Sequence, residues 1–403
     1  MNNFYASVEC LHNPSLRGKP VAVGGDVEAR HGIVLAKNYA AKAYGVKTGQ
    51  ALWEAKKLCP NLVFVPPHFE QYLKFSRLAR DIYRGFTPNI ESYGLDECWL
   101  DLTGCVPDFS AGVQAADKIR ARVKFELGIT CSVGVSFNKI FAKLGSDMKK
   151  PDATTVISRS QYRQIVWPLP VEDLLFVGPA TKKKLYGRMI KTIGELAAQD
   201  VKYMEGMLGK NGRMLWAFAN GLDTSPVAAD GESAPVKSIG NSTTTPRDLK
   251  SDDEVKITLL VLSESVAERL REAKQKCATV QVHFRDNQLA SYERQVSLPT
   301  PTCSAQTIYE AALSLYKRCH KGKNPLRTLG VRACSLLPDD AFSQLSLFPD
   351  TEAKRADLER TVDEIRRRFG HFAILRGLML TDTSLSHLDP KGEHVIHPEP
   401  FGR

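Results

Sequence analysis

With 403 residues, 43% of them hydrophobic and 25% charged, the chain has the composition of a soluble globular protein of roughly two to four domains. Lys and Arg outnumber Asp and Glu by 55 to 45, and the net charge of +10 favours a polyanionic partner, because each phosphate neutralised releases counterions. Nine scattered cysteines without a C-x-x-C pair argue against a disulfide framework or zinc site and for a reducing cytoplasm; no stretch approaches the roughly 20 apolar residues of a membrane span, and MNNFYASVEC is not a signal peptide.

Residues 1–157 alternate short apolar runs with helical patterns, the signature of an α/β arrangement. VAVGG (21–25), IVLA (33–36) and NLVFVPP (61–67) read as strands. YAAKAYGVKTGQALWEAKKLC reads as helix, turn and helix, broken at Gly45 and Gly49. SYGLDECWLDL (92–102) and ITCSVGVSF (129–137) are further strands, with the helix VQAADKIRARVKFEL between them. From about 158 to 230 the pattern is helical. The Pro-, Ser-, Asp- and Gly-rich stretch 221–238 reads as a linker. Beyond it CATVQVHFR, ASYERQVSL and LGVRACSLL are strand-like, separated by two helical segments. A break at 338–350 precedes a helix whose apolar positions Leu358, Val362, Ile365 and Phe369 predict a buried stripe. The tail after 381 has no periodicity, and its His387, His394 and His397 read as surface rather than a metal site.

Asp96 and Glu97 are the strongest local signal, two adjacent carboxylates in an apolar strand pattern with Asp101 nearby. Buried charges are costly unless paired or bound to metal, and hard oxygen ligands suit Mg²⁺. Neighbours on a straight strand point to opposite faces, so a shared ion needs a hairpin bend. A strand end with solvated or salt-bridged acids is the plainer alternative.

NNFYASVE (2–9), NYAAKAYGVKTG (38–49), YGLDECWLD (93–101) and GVSFNKIFAKLGSDMKKPD (134–152) occur in this order and spacing. Together they resemble the UmuC/DinB-type translesion DNA polymerases of the Y family, over about residues 1–340. The resemblance implies an α+β multidomain, right-hand polymerase. Its palm would be 1–9 with 68–157 (a mixed sheet with helices), its fingers 10–67, its helix-hairpin-helix thumb 158–230. A linker, 231–236, would lead to an α+β little finger, 237–338, and a tail, 339–403.

The resemblance also implies roles. Asp96 and Glu97 would be catalytic metal ligands, and Met1 would lend its backbone carbonyl, in a site with two Mg²⁺ ions. Tyr5, with Phe4 beside it, falls on the steric gate that refuses a 2′-hydroxyl, although ordinary aromatic packing would also account for one of the two rings. Tyr39, Lys42 and Lys150 fall on triphosphate-binding positions, where charge-assisted hydrogen bonds are suited to phosphate oxygens. At 42 the family more often has Arg, so the bidentate fork is lost.

LLFVGPATKKKLYGRM (174–189) resembles a helix-hairpin-helix that offers backbone N–H groups to a DNA phosphate, with Gly178, Lys182, Lys183 and Lys184 on the DNA side. Phe176 replaces the usual first glycine, which predicts a distorted hairpin. Residues 237–338 carry 16 Lys and Arg against 10 Asp and Glu, a surplus suited to a duplex backbone. QLSLF (344–348) resembles the peptide by which bacterial polymerases bind the sliding clamp, with Leu345, Leu347 and Phe348 as apolar anchors and Gln344 as the polar one.

The family pattern begins with an apolar strand ending in a metal-bridging Asp, which would stand immediately before Met1. Its absence predicts an interrupted palm sheet and an α-amino charge that opposes cation binding. A start assigned too far downstream is favoured over a catalytically impaired relative, because every other site position survives. The implied function is error-prone, template-directed synthesis across damage in DNA repair, by a cytoplasmic monomer. It would act on primer-template DNA and deoxynucleoside triphosphates, tethered to the clamp and without membrane attachment. The alternatives are a polymerase-like adaptor without chemistry and a helix-hairpin-helix nuclease.

Overall fold

Helix and strand signals in the first half of the chain translate directly into elements. The coordinates, a computed structural model, describe residues 1–25, 32–231, 235–322, 324–340 and 351–390. Residues 1–25 and 33–231 form one compact unit, and those from 235 to 390 another.

The first unit opens with α1 (Phe4–His12), whose Phe4, Ala6 and Val8 are buried. Strands β1 (Val21–Gly24), β2 (Val34–Lys37) and β3 (Val63–Val65) make a sheet of order β2-β1-β3, with β1 parallel to β3. Between β2 and β3 lie α2 (Tyr39–Ala43) and α3 (Leu52–Leu58), separated as expected by left-handed turns at Gly45 and Gly49. Next come α4 (Phe69–Arg84), β4 (Ile90–Tyr93), β5 (Glu97–Leu100), α5 (Phe109–Leu127), β6 (Val133–Ser136), α6 (Lys139–Met148) and β7 (Thr154–Ile157). Asp108 and Asn138 cap α5 and α6 through their side chains. Among the described residues these four strands pair two by two, β4 with β5 and β6 with β7.

A helical layer follows: α7 (Tyr162–Val166), α8 (Pro179–Tyr186), α9 (Ile193–Ala197), α10 (Val201–Leu208) and α11 (Lys210–Ala219), around buried Val171, Leu185, Ile193, Leu196, Met204 and Leu215. The stretch after α11 is not a free linker from its start. Lys139 Nζ donates to Pro226 O (3.0 Å), Glu91 Oε2 accepts from Ala228 N (2.9 Å), and Arg84 Nε donates to Asp230 Oδ2 (2.6 Å). Pro and Ser content signalled the absence of helix, but the extended chain is strapped to its own unit as far as Asp230.

In the second unit β8 (Ser238–Leu249), β9 (Gln275–Asp286), β10 (Ser291–Thr302) and β11 (Leu326–Pro338) form an antiparallel sheet of order β10-β9-β11-β8. Helices α12 (Asp252–Glu272) and α13 (Ala305–Cys319) cover one face, burying Leu259, Leu262, Val266, Val282, Phe284, Ile308 and Val331. Strand β8 escaped the sequence pattern: SIGNSTTTPRDL has few apolar residues and a proline, which an edge strand tolerates.

Helix α14 (Thr351–Phe369) is present, but its apolar stripe is not buried: Leu358 and Phe369 are 64% and 70% exposed. The inward face carries Glu359, Asp363 and Arg366 instead. Arg271 pairs with Glu359 (2.6 Å) and with both oxygens of Asp363 (2.6 and 2.8 Å). Glu264 receives Arg366 (2.8 Å) and Arg376 (2.6 Å). Glu359 also accepts from the Ala305 N–H at the start of α13 (2.8 Å). Charge complementarity, not apolar burial, seats this helix. The tail beyond 381 forms a short helix, α15 (Thr383–Ser386), whose Leu385 reaches the core, while the His387 ring stacks on Phe372 at 3.9 Å.

Candidate active site

Strands β4 and β5 pair from Ile90↔Leu100 to Tyr93↔Glu97, and the chain reverses through Gly94, Leu95 and Asp96. Gly94 supplies the left-handed conformation, at φ 75°. The hairpin bend demanded by the adjacent acids is therefore present: Asp96 lies in the turn and Glu97 opens β5. The Met1 amino nitrogen donates to the Asp96 backbone oxygen (2.8 Å) and approaches its Oδ2 (3.3 Å). Glu97 Oε1 accepts from Lys143 Nζ (2.9 Å), which also donates to Asp147 Oδ2 (2.8 Å). Burial works against the Lys143 ammonium, yet the flanking Glu97 and Asp147 raise its pKa. Asp101 takes no part: its Oδ1 closes the following turn on Thr103 N (2.9 Å).

Beneath the hairpin, Asn2 ties three segments together. Its N–H donates to Thr130 O (2.8 Å), its amide nitrogen to Ser132 Oγ (3.1 Å), and its amide oxygen accepts from Asp152 N (3.0 Å). Residues of β5 and β6, Glu97 and Val133 among them, line a cavity of about 810 Å³ together with Met1, Asn2, Asp96 and Lys143.

Tyr5 lies flat on Tyr72 of α4, ring centroids 4.2 Å apart at 9°, with Phe69 edge-on at 6.0 Å. Burial, and then the Asp96 charge, push its hydroxyl pKa up. Phe4, predicted alongside Tyr5, is instead a core residue, 5% exposed and packed against Tyr72. Successive helical residues diverge by about 100°, so the two rings point in different directions.

The cations converge as well. Tyr39 and Lys42 sit on α2, which Asn38 caps by accepting from Ala41 N (2.9 Å). Lys42 Nζ lies 5.9 Å from the Tyr39 ring centre. Burial raises the Tyr39 pKa against the pull of Lys150. Burial and then the charges of Lys42 and Lys150 lower that of Lys37, so three ammonium groups share one field. Lys150 Nζ is held by Asp147 Oδ1 (2.7 Å). Lys37, Lys143 and Asn2 were not singled out from the sequence. Glu97 lies 46 positions from Lys143 and Ser132 lies 130 from Asn2, whereas Lys143–Asp147 on α6 is a local helical spacing.

Farther on, Gly178 forms the N-cap of α8, and Phe176 adopts φ 71°. The hairpin thus keeps its left-handed residue despite the missing glycine. Lys182 is committed to Glu172 (2.6 Å), whereas Lys183 and Lys184 line an open hollow with Arg188. QLSLF, with Gln344, Leu345, Leu347 and Phe348, lies outside the described residues.

Residues 1–147 match the impB/mucB/samB family, and residues 236–347 match the C-terminal domain of that family. The chain belongs to this family. A DNA polymerase IV of Acetivibrio thermocellus is 51% identical over 96% of this chain and 98% of its own length. A DNA polymerase IV of Pelotomaculum thermopropionicum is 39% identical over 98% of both, and DNA polymerase IV 1 of Bacillus subtilis is 37% identical over 94% and 92%. The fold is that of a solved Y-family DNA polymerase chimera, at a TM-score of 0.73 and 23% identity over 84% of this chain and 97% of the chimera. The chain is thus a DinB-type Y-family member, a DNA-directed DNA polymerase of translesion synthesis. Enzymes of this family use divalent metal ions. Among the described residues no helix is long and apolar enough to cross a membrane.

Proposed function

We propose that the tip of the β4–β5 hairpin is the catalytic centre and that the ground between it, Tyr5 and α2 is the seat of the incoming deoxynucleoside triphosphate. The convergence on one side of a single unit of two carboxylates, one stacked phenol and a field of ammonium groups carries this reading. Tyr5 would lie under the sugar and leave no room for a 2′-hydroxyl. Tyr39, Lys42 and Lys150, joined by Lys37, would hold the phosphates.

Asp96 and Glu97 already attract cations, the Met1 amino group and Lys143, so their oxygen chemistry fits Mg²⁺. No group of three or more His, Cys, Asp or Glu is assembled among the described residues. Two ions would therefore draw on the Met1 carbonyl and the triphosphate as well. When bound, such ions activate a primer 3′-hydroxyl and stabilise the departing pyrophosphate. The chain's own part is to fix Glu97 through Lys143, to exchange the Met1 amino group at Asp96 for the ion, and to align the sugar over Tyr5.

Two surfaces suit DNA without reading bases. The N-terminus of α8 offers N–H groups, and Lys183 and Lys184 stand in its last turn. The helix-free face of the second unit's sheet carries Gln281, His283, Arg285, Arg332, Ser242 and Thr244, set by register. These surfaces support the palm, fingers, thumb and little-finger assignment. Clamp binding through residues 344–348 and a monomeric, cytoplasmic state rest on the sequence alone. Primer extension with Asp96→Asn and Tyr5→Ala beside the parent protein tests the reading. Template-directed incorporation that is lost in Asp96→Asn and admits ribonucleotides in Tyr5→Ala supports it. Incorporation unchanged in both variants would overturn it.

A further inference from the structure

Glu9 is a carboxylate that the chemistry above does not use. It sits one turn after Tyr5 on α1, on the same face, with its side chain 8% exposed. The Tyr72 hydroxyl donates to its Oε1, and His68 Nδ1 lies 3.0 and 3.1 Å from its two oxygens. Tyr72 is fully buried, and its ring is the one on which Tyr5 lies. Phe69, edge-on to both rings, closes the fourth side. Residues 68, 69 and 72 occupy one face of the start of α4, so α1 and α4 meet through a closed circuit: Tyr5 on Tyr72, Tyr72 to Glu9, Glu9 back through one helical turn to Tyr5.

A hydroxyl bonded to a carboxylate is held more firmly than one bonded to a neutral acceptor. The tether fixes the Tyr72 ring plane, and a stacked pair transmits that plane to Tyr5. A ring packed only by apolar contacts keeps a soft terminal torsion. Burial and the Glu9 carboxylate both push the Tyr72 pKa up, so the hydroxyl keeps its proton and remains the donor.

We infer that Glu9 and Tyr72, closed by His68, are positioning residues that set how strictly Tyr5 refuses a ribonucleotide. The inference rests on Tyr5 being the sugar gate, and the test separates the two. Full-length protein is bound to a primer-template ended by a dideoxynucleotide, so that no bond forms, with Mg²⁺ present. The affinities for the complementary deoxy- and ribonucleoside triphosphates are then measured as a ratio. Tyr5→Ala should collapse the ratio by about 100-fold or more, and if it does not, the gate reading itself fails. Tyr72→Phe and Glu9→Gln, which keep shape and stacking area, should lower it by about 5- to 10-fold, or about 1–1.4 kcal/mol. His68→Ala, at a half-exposed residue whose loss does not threaten folding, should lower it by about 2- to 3-fold. A merely structural role would weaken both nucleotides equally and leave the ratio alone. A collapsed ratio in Tyr5→Ala with an unchanged ratio in the other three variants would overturn the inference. A nucleotide-free readout stands beside it: fluorotyrosine NMR should show the Tyr5 resonance shifted or broadened in Tyr72→Phe and Glu9→Gln, and an unmoved resonance in both would equally overturn it.

Discussion

Two pairs of acids in this protein meet cations, and the contrast between them separates holding from working. At the hairpin tip, Asp96 and Glu97 are 31% and 32% exposed, and each meets a single flexible ammonium, from Met1 and from Lys143. Under α14, Glu264 and Glu359 are 9% and 7% exposed and bound by guanidinium groups, with Glu359 also fixed to the α13 N-terminus. A planar guanidinium loses little entropy per bond and does not give up its proton, so the second pair is a permanent fixture. The first pair is partly open to solvent and, on the proposed reading, can take a divalent ion at Asp96 while Lys143 holds Glu97. Pairing alone does not reveal function; the exchangeability of the partner does.

The largest expected break in this contrast comes from neutralising each kind of acid. Asp96→Asn or Glu97→Gln in a polymerising form should lower nucleotide incorporation by about 10³-fold or more while melting temperature hardly moves, as primer-extension rates and thermal melts would record. Glu264→Ala or Glu359→Ala should do the reverse. Glu264→Ala leaves the buried Arg366 without a carboxylate and should cost about 3–5 kcal/mol of the second unit's stability in urea unfolding, with the chemistry of the first unit unchanged; Glu359→Ala, after which Arg271 keeps Asp363, should cost less.

Acid titration gives a finer division. Burial tends to raise the Asp147 pKa, but Lys143 and Lys150 win and hold it below 3.8. Its contribution to stability is present above the unfolded pKa near 3.8 and is lost as pH falls through the lower folded value. Asp147→Asn should therefore melt below the parent at pH 7, with the gap closing toward pH 3. A gap constant with pH would show that Asp147 contributes nothing through its charge.

The smallest effect is expected at Phe176, whose φ of 71° costs a residue with a Cβ about 1–2 kcal/mol, offset by contact of its ring with Phe218. Phe176→Gly should change stability by no more than about 1 kcal/mol and leave DNA affinity intact. A large loss of affinity would mean that the ring, not the backbone turn, meets the DNA.

The sequence disclosed what depends on local pattern. The turns at Gly45 and Gly49 and the acid pair with its bend follow from residues a few positions apart. It did not disclose Lys143 reaching Glu97, Tyr72 reaching Glu9, or Asn2 reaching Ser132, because these partners lie 46, 63 and 130 positions away. Nor did periodicity predict β8, where an edge position makes an apolar pattern unnecessary. It misjudged α14 outright, because a scan for apolar spacing cannot detect a face made of Glu, Asp and Arg. Phe4 and Tyr5 were separable only once the helix direction was known.

The way α14 is seated has a consequence for how its segment can be recognised. An apolar stripe would let a helix slide by a turn with modest loss, since one aliphatic surface resembles another. Here a shift by one turn would leave only one of Glu359 and Asp363 beside Arg271 and carry Arg366 off Glu264, stranding a buried charge. The segment therefore behaves like a keyed plug with a single seat. A homologous tail grafted onto this unit would dock only where its acids and arginines reproduce the same spacing, which makes the 351–376 region a barcode of the domain it belongs to.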